Sequence, residues 1–430
     1  MDKLYFKLYP DVMLVNGDKR STLHLLSNKQ TIPLSIAESE LLKCLTTKSM
    51  DLVEQEYDKV IIENALELML QKGLGNIYSS DVYIEPVLFN LPFELDGLLD
   101  PILIIQELSI ELDCDDSQMQ LKPENILFQP CYSCIPSPQF DIHNPLINVC
   151  DIMFGLNQIK NVQIKRVKIH CSDMQKNWEI LNELMRYIRD TFAAEILIVT
   201  SWLNFSSHII SEMITLNASI CYNFSNERFL LHESETEKSI KYLVRKGIPV
   251  SVNIVLHSDN NDSSYTKMRE IINGWDVAQV YATEILDSKN SQISIYPRGI
   301  DRIEDIDFHE LFFRSQHNPC LYGKIGIDRY GNVRPCLHSK HCVGHIEKMF
   351  EIFEHKKHEK YWSYSKTKIS RCNKCENRFA CTDCFLMEDI IEQSPATLKM
   401  ICEYEPDTGH WYRIQDDLQN TFLPFLDNHN

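Results

Sequence analysis

Glycine is scarce in this sequence: 13 in 430 residues, where average usage of ~7% gives about 30. Neither Gly-x-Gly-x-x-Gly nor Gly-x-x-x-x-Gly-Lys-Ser/Thr occurs, so the simplest glycine-built nucleotide loops are excluded. Basic charge is short as well. The 43 Lys and Arg face 61 Asp and Glu, a net charge of -18, which argues against a general binder of nucleic acid or anionic membrane. No stretch reaches the ~18 consecutive apolar residues of a membrane span. The N-terminus has no basic region, long apolar run or small-residue cleavage site, so it does not read as a signal peptide. These absences predict a cytosolic protein with reduced thiols. At about 150 residues per domain, the length predicts two to four domains.

Cysteine, by contrast, is abundant. Fifteen Cys in a reducing compartment point to metal or redox chemistry more than to disulfides. Seven are scattered over the first 319 residues, and eight fall between Cys320 and Cys402. Of the scattered set, Cys44, Cys114, Cys150, Cys171 and Cys221 read as buried small hydrophobes.

Residues 1–85 read as one small unit. Val12–Val15 and Thr22–Leu26 flank Asn16-Gly17-Asp18, a hairpin signal. Ser35 with Glu38 makes a capping box before Ala37, Leu41, Leu42 and Leu45 at helical spacing. A second helix over about 58–72 ends at Gly73, and Asp81–Ile84 reads as a wing. Strands, helices and a wing predict a winged-helix-like domain. Residues 86–310 form the second region: 86–110 is a Pro- and Leu-containing connection with no assigned elements, and from about 126 β-branched runs alternate with helical periodicity. The expected strands begin at Ile126–Phe128 and continue at Val167–Cys171, Ile196–Val199, Ser219–Tyr222, Val250–Leu256 and Val277–Tyr281. Helices are expected at about 144–157, 174–190, 205–216, 234–246 and 264–273, the fourth capped by Ser234 with Glu237. Serial βα units of this kind build parallel sheets or barrels, and six units, too few for an eight-stranded barrel, predict an α/β open or partial (β/α)6 barrel.

Residues 311–430 carry the most specific signal. Cys320-x10-Gly331-x4-Cys336 is followed by Cys372-x2-Cys375-x5-Cys381-x2-Cys384 and then Cys402. Lys324–Asp328 and Asn332–Arg334 flank Tyr330-Gly331, a hairpin that predicts proximity of Cys320 and Cys336. Close Cys-x2-Cys pairs let two thiolates face one metal centre. This pattern resembles the SPASM domain, the auxiliary cluster domain of radical S-adenosylmethionine enzymes that modify peptides. One spacing departs from it: the family's last internal gap is often three residues, and Thr382-Asp383 makes it two. The segment Cys375-Glu-Asn-Arg-Phe-Ala-Cys-Thr-Asp-Cys384 is similar to peptide maturases of bacterial ribosomal-peptide systems, including those paired with an ATP-grasp enzyme. The resemblance implies two [4Fe–4S] clusters. Cys372, Cys375, Cys381 and Cys402 would hold the outer one; Cys320, Cys336 and Cys384 would hold the inner one. Cys342 is the candidate for a fourth inner ligand, with an open iron site as competitor, and four-thiolate sites suit zinc too.

The resemblance makes a further demand that the chain does not meet. Active members carry Cys-x3-Cys-x2-Cys after the first barrel strand, and no such triplet occurs here. The nearest remnant is Cys131-Tyr-Ser-Cys134. The family's Gly-Gly-Glu segment after the second strand is replaced by Ser172-Asp173-Met174. The middle region therefore resembles a degenerate, pseudo-radical-SAM barrel, with no S-adenosylmethionine expected. The N-terminal unit is similar to the peptide recognition element of such systems, which implies a precursor or leader peptide as ligand, bound by strand addition. The expected function is an accessory or scaffold to a partner maturation enzyme. Two alternatives stand beside it: an iron–sulfur enzyme working through an open inner cluster, and a zinc-stabilised peptide-binding adaptor. His309–Glu310 and His355–His358 read as solvated faces, Asp115–Asp116 and Asp416–Asp417 as surface pairs, and Trp178, Leu181, Leu184 and Ile188 as core.

Overall fold

The computed structural model describes residues 3–85, 104–113, 125–128, 145–202, 204–257, 262–287, 303–381 and 404–411. Cys114, Cys131, Cys134, Cys384, Cys402, Asp115–Asp116 and Asp416–Asp417 lie outside them.

The N-terminal unit follows its local signals. After β1 (Tyr5–Leu8), β2 (Val12–Asn16), β3 (Ser21–Leu25) and β4 (Gln30–Pro33) form an antiparallel sheet in that order. The β2–β3 connection turns at Gly17, whose N–H donates to the Arg20 carbonyl at 2.8 Å. Helix α1 (Ile36–Thr47) starts at the Ser35–Glu38 capping box, which satisfies two otherwise orphaned N–H groups. Short α2 (Met50–Val53) and α3 (Lys59–Gln71) follow, and Gly73 closes α3 with φ +64°. The expected wing differs. The chain returns as β5 (Gly75–Tyr78), antiparallel to β1, and Asp81–Ile84 is coil. Gly75 permits this return: a Cβ there would lie 2.2 Å from the Lys7 carbonyl oxygen. Leu23, Leu41, Leu42, Leu45, Ile62 and Met69 make the unit's core.

The middle of the chain is built on a ten-stranded, mostly parallel sheet. Its strands are β6 (Ile104–Asp113), β7 (Asn125–Phe128), β8 (Gln163–Cys171), β9 (Glu195–Thr200), β10 (Ala218–Ser225), β11 (Val250–His257) and β12 (Gln279–Asp287), continued by β13 (Lys324–Ile327), β14 (Asn332–Arg334) and β15 (Gly344–His345). Six consecutive neighbours, β6-β8-β9-β10-β11-β12, are parallel. The helices between them are α4 (Val149–Asn157), α5 (Trp178–Phe192), α6 (Ser207–Thr215), α7 (Asn226–Leu231), α8 (Glu233–Arg245) and α9 (Asp262–Asn273).

Six parallel strands come from the βα region, as expected, and β13 adds a seventh to the run, but the first of the six differs. Ile126–Phe128 is not the opening strand: β7 runs antiparallel to β12 at the far edge. The opening strand is β6, in a Pro- and Leu-containing stretch whose run Ile-Ile-Gln-Glu-Leu-Ser-Ile-Glu-Leu-Asp interleaves charges with apolar residues. The α8 start also differs: His232 is the N-cap, with no side-chain cap bond, and Ser234 lies inside the helix. α7 occupies the approach to that start. Gly247, φ +81°, ends α8 as its position before Pro249 predicts.

Amphipathic helices cover one face of the sheet. On α5, Trp178, Leu181, Leu184, Met185 and Ile188 are buried against Val167, Ile169 and Ile198. Each such side chain contributes about 1.5–3 kcal/mol on burial. Beyond β12, α10 (Phe308–Gln316) opens with an Asp307–Glu310 capping box. β13 and β14 form the predicted hairpin, with Gly331 at φ +81°. β13 also pairs parallel with β6, Lys324 opposite Glu107, so the hairpin extends the large sheet. Its buried residues Ile325, Ile327 and Val333 share the core of the βα units. No helix among the described residues is long and apolar enough to cross a membrane.

Candidate functional site

The described cysteines of the C-terminal pattern occupy two places. Cys320 precedes β13 and its N–H donates to Asn318 Oδ1 at 2.9 Å. Cys336 follows β14, is buried, and packs against Leu321, so the hairpin does bring the two segments together. Cys342 is exposed, and its thiol donates to the Gly344 carbonyl at 3.0 Å.

The second place is a tight knuckle. Cys372–Lys374 forms a single 3-10 turn, closed by the Cys375 N–H on the Cys372 carbonyl at 3.0 Å. The Asn377 N–H donates to Cys375 Sγ at 3.4 Å, a bond that favours a thiolate. Cys381 N–H bonds the Asn377 carbonyl at 2.8 Å, and Cys381 forms a bridge with Ile303. Glu376, next to Cys375 in the chain, is buried and accepts the Tyr404 hydroxyl at 2.9 Å; burial pushes its carboxyl up. Among the described residues no three Cys, His, Asp or Glu side chains converge on one metal position. The donor chemistry nevertheless suits a thiolate-bound metal: two thiols from one turn, with a backbone N–H aimed at sulfur.

The opposite face of the large sheet is polar, which composition alone does not reveal. Side chains alternate along a strand, so Glu107, Ser109, Glu111, Lys168 and His170 lie across from the helix layer, all buried. Lys168 Nζ is 2.8 Å from Glu107, and Arg329 bonds Glu111 at 3.0 Å. Asn253 donates to Asn223 at 2.9 Å and accepts from Thr283 at 3.1 Å, a ladder across three parallel strands. Glu107 Oε1 and His170 Nε2 are buried with no hydrogen-bond partner among the described residues. Pairs of this kind gain little stability over apolar residues of equal volume. Their signal in the sequence is a polar residue recurring at every second position of an apolar strand, as in Glu107-Leu-Ser-Ile-Glu111 and Lys168-Ile-His170.

Ser172-Asp173-Met174, at the end of the second parallel strand, makes a structural turn. Asp173 Oδ1 accepts the Lys176 N–H at 2.9 Å, and Met174 is fully buried.

The N-terminal sheet has one closed edge. On β4 the outward Thr31 N–H donates to Asp305 at 2.7 Å, and Pro33 has no N–H to offer. Lys29 adds an ion pair to Glu310 at 3.1 Å. β2 is the other edge, and no strand pairs with its outer side among the described residues.

Other residues with a sequence-based expectation follow it in part. His358 is not on a solvated face: it is 3% exposed, between the rings of Phe353 and Trp362, and burial lowers its pKa. Cys171 and Cys221 are buried as expected, but Cys150 is exposed and Cys44 is half-exposed, 3.4 Å from Glu56. Trp178, Leu181, Leu184 and Ile188 are core.

Two buried histidines set an acid limit. Burial, reinforced by Arg378, lowers His24 to about 3. Burial lowers His170 to about 4 against the opposing pull of Glu111. The fold holds both neutral, while the unfolded chain protonates them below about 6.5. Their contribution is complete above that pH and is lost as pH falls toward the folded values, on the order of 3–5 kcal/mol each. The urea midpoint should therefore fall between pH 6.5 and 5, with a smaller slope in His24→Gln; a midpoint flat across that range contradicts this.

No protein-family model and no curated protein matches the chain. Some solved structures resemble it. Streptococcus suis SuiB bound to precursor peptide SuiA shares 14% identity over 90% of this chain and 97% of that one, with TM-score 0.42. Native anSMEcpe with bound AdoMet and Kp18Cys peptide shares 13% over 64% and 88%, with TM-score 0.43. BtrN in complex with AdoMet and 2-DOIA shares 12% over 65% and 93%, with TM-score 0.30. Each is a distant likeness.

Proposed function

We propose that this chain is a peptide-maturation protein. It binds a ribosomally made precursor peptide and holds iron–sulfur clusters through its C-terminal cysteines. It does not cleave S-adenosylmethionine, and it acts as accessory or scaffold to a partner enzyme. The observation that carries this reading is the ordered cysteine pattern from Cys320 to Cys402, with the Cys372–Cys375 turn and its N–H bond to sulfur. Loss of cofactor chemistry rests on the missing Cys-x3-Cys-x2-Cys triplet and on Asp173, whose carboxylate is engaged by its own turn. A peptide added as a strand to the N-terminal sheet has β2 as its template, because Asp305 and Pro33 close β4.

The test is direct. Reduced, cluster-reconstituted protein incubated with S-adenosylmethionine should yield no 5′-deoxyadenosine, and sustained formation of that product would refute the accessory role. The inner site offers a second measurement. If Cys342 is its fourth ligand, Cys342→Ala alters the visible and electron paramagnetic spectra of the inner cluster. An unchanged spectrum favours the open-iron enzyme reading instead.

A further inference from the structure

We propose that the Cys372–Cys381 knuckle is the latch of the N-terminal unit, so that metal loading at the knuckle and docking of the β2–β3 hairpin are linked equilibria. This rests on the reading of these cysteines as metal ligands. The two regions are more than 350 positions apart in the chain, yet nearly every non-cysteine residue of the knuckle is spent on the hairpin. The Asp18 N–H donates to the Lys374 carbonyl at 2.9 Å, and Lys374 Nζ reaches the Asp18 carboxylate at 3.6 Å. Thr22 Oγ1 donates to Asn377 Oδ1 at 2.7 Å in a buried pair. Arg378 Nη1 donates to both the Asn16 carbonyl, at 3.0 Å, and the Cys375 carbonyl, at 2.8 Å. Phe379 and Ala380 pack in one small core with Val15, Leu26, Ile306 and Leu311.

Two residues make the coupling specific. Asn377 faces both ways: its backbone N–H bonds Cys375 Sγ, and its side chain holds Thr22. Gly17 sits where nothing larger fits. A Cβ there would lie 2.7 Å from the Glu376 carboxylate, 2.8 Å from its backbone nitrogen and 2.8 Å from the Lys374 carbonyl oxygen. All five residues of β3 are buried, because its sheet lies between its own helices and this contact. A metal that fixes Cys372, Cys375 and Cys381 fixes the backbone at 374–380 and thereby the groups that receive the hairpin. By linkage, whatever binds the docked form more tightly favours docking, and docking must favour metal retention by the same factor.

The test uses the full chain purified anaerobically with its metal. On stripping the metal with a chelator, exchange of the Asp18 amide should rise at least about tenfold while α1 and α3 stay protected. Unchanged exchange at Asp18 overturns the proposal. Simultaneous loss of protection in α1 and α3 also overturns it, because the unit would then be unfolding rather than detaching. In the reverse direction, Gly17→Ala in the loaded protein should speed metal release several-fold, within the roughly 5–150-fold range of such couplings. Thr22→Val, which removes only the hydroxyl, provides the same readout if Gly17→Ala does not fold. Release at the parental rate in the folded variant overturns the linkage alone. A chain that binds no metal overturns both the linkage and the metal-site reading.

Discussion

Anaerobically purified protein should contain about eight irons per chain and a brown chromophore, and Cys372→Ala/Cys375→Ala should bring the count to about four. The expected loss is one whole cluster because the two substituted thiols share a single 3-10 turn and cannot be replaced from nearby. Two described candidates for the inner cluster, Cys320 and Cys336, flank a different support, the β13–β14 hairpin, which is paired to β6 and shares the large core. The double variant leaves all three thiols implied for the inner cluster, Cys320, Cys336 and Cys384, unsubstituted. Stoichiometric zinc with no iron would overturn the iron–sulfur assignment in favour of the adaptor, since four thiolates serve either metal. A complete loss of iron in the double variant would show that the two sites are not independent.

What the sequence made legible followed local rules. The Ser35–Glu38 capping box, the Asn16–Gly17 turn, the Gly247 stop and the Gly331 hairpin each need only a few adjacent residues, and each stands where expected. The parallel strands from β8 to β12 were readable because β-branched runs separated by helical periodicity have few other solutions. Structure departs from these local rules where tertiary pairing decides. β6 carries Glu107, Ser109 and Glu111 on the face away from the helices, so its alternation mimics a half-exposed strand although these residues are buried. β7 is apolar enough to pass for the opening strand and instead closes the far edge beside β12. His358 lies among Lys and Glu in the chain, and only packing puts two aromatic rings around it. The knuckle was legible as a motif, but its contact with Gly17 and Thr22 was not, because no local rule connects residues so far apart in sequence.

Asp328→Ala is expected to cost about 3–5 kcal/mol, a large part of the 5–15 kcal/mol available to a domain. The carboxylate is 3% exposed and organises the whole hairpin turn. It accepts the N–H groups of Tyr330 at 3.0 Å and Asn332 at 2.9 Å, the Asn332 side chain at 3.0 Å and Arg334 Nε at 2.8 Å. Arg334, 2% exposed, carries the connection onward by donating to the Ser339 and Lys340 carbonyls, both at 3.1 Å. Removing the carboxylate takes away the charge that Arg334 meets at 2.8 Å together with an acceptor for two backbone N–H groups, and losing this buried network is the main cost. Asp328→Asn retains an acceptor but not the charge, so its loss should be smaller. Asp328→Ala/Arg334→Met removes both charges and should recover much of the stability, because a buried ion pair gains little over apolar packing. The same strut spans the segment from Cys336 to His341, just before Cys342, so the single variant should also release metal from the hairpin site before the knuckle site. Urea unfolding together with metal content reads both effects. A loss under about 1 kcal/mol for Asp328→Ala, or a double variant no better than the single, would show that the hairpin is held by its strand pairing with β6 rather than by this ion pair.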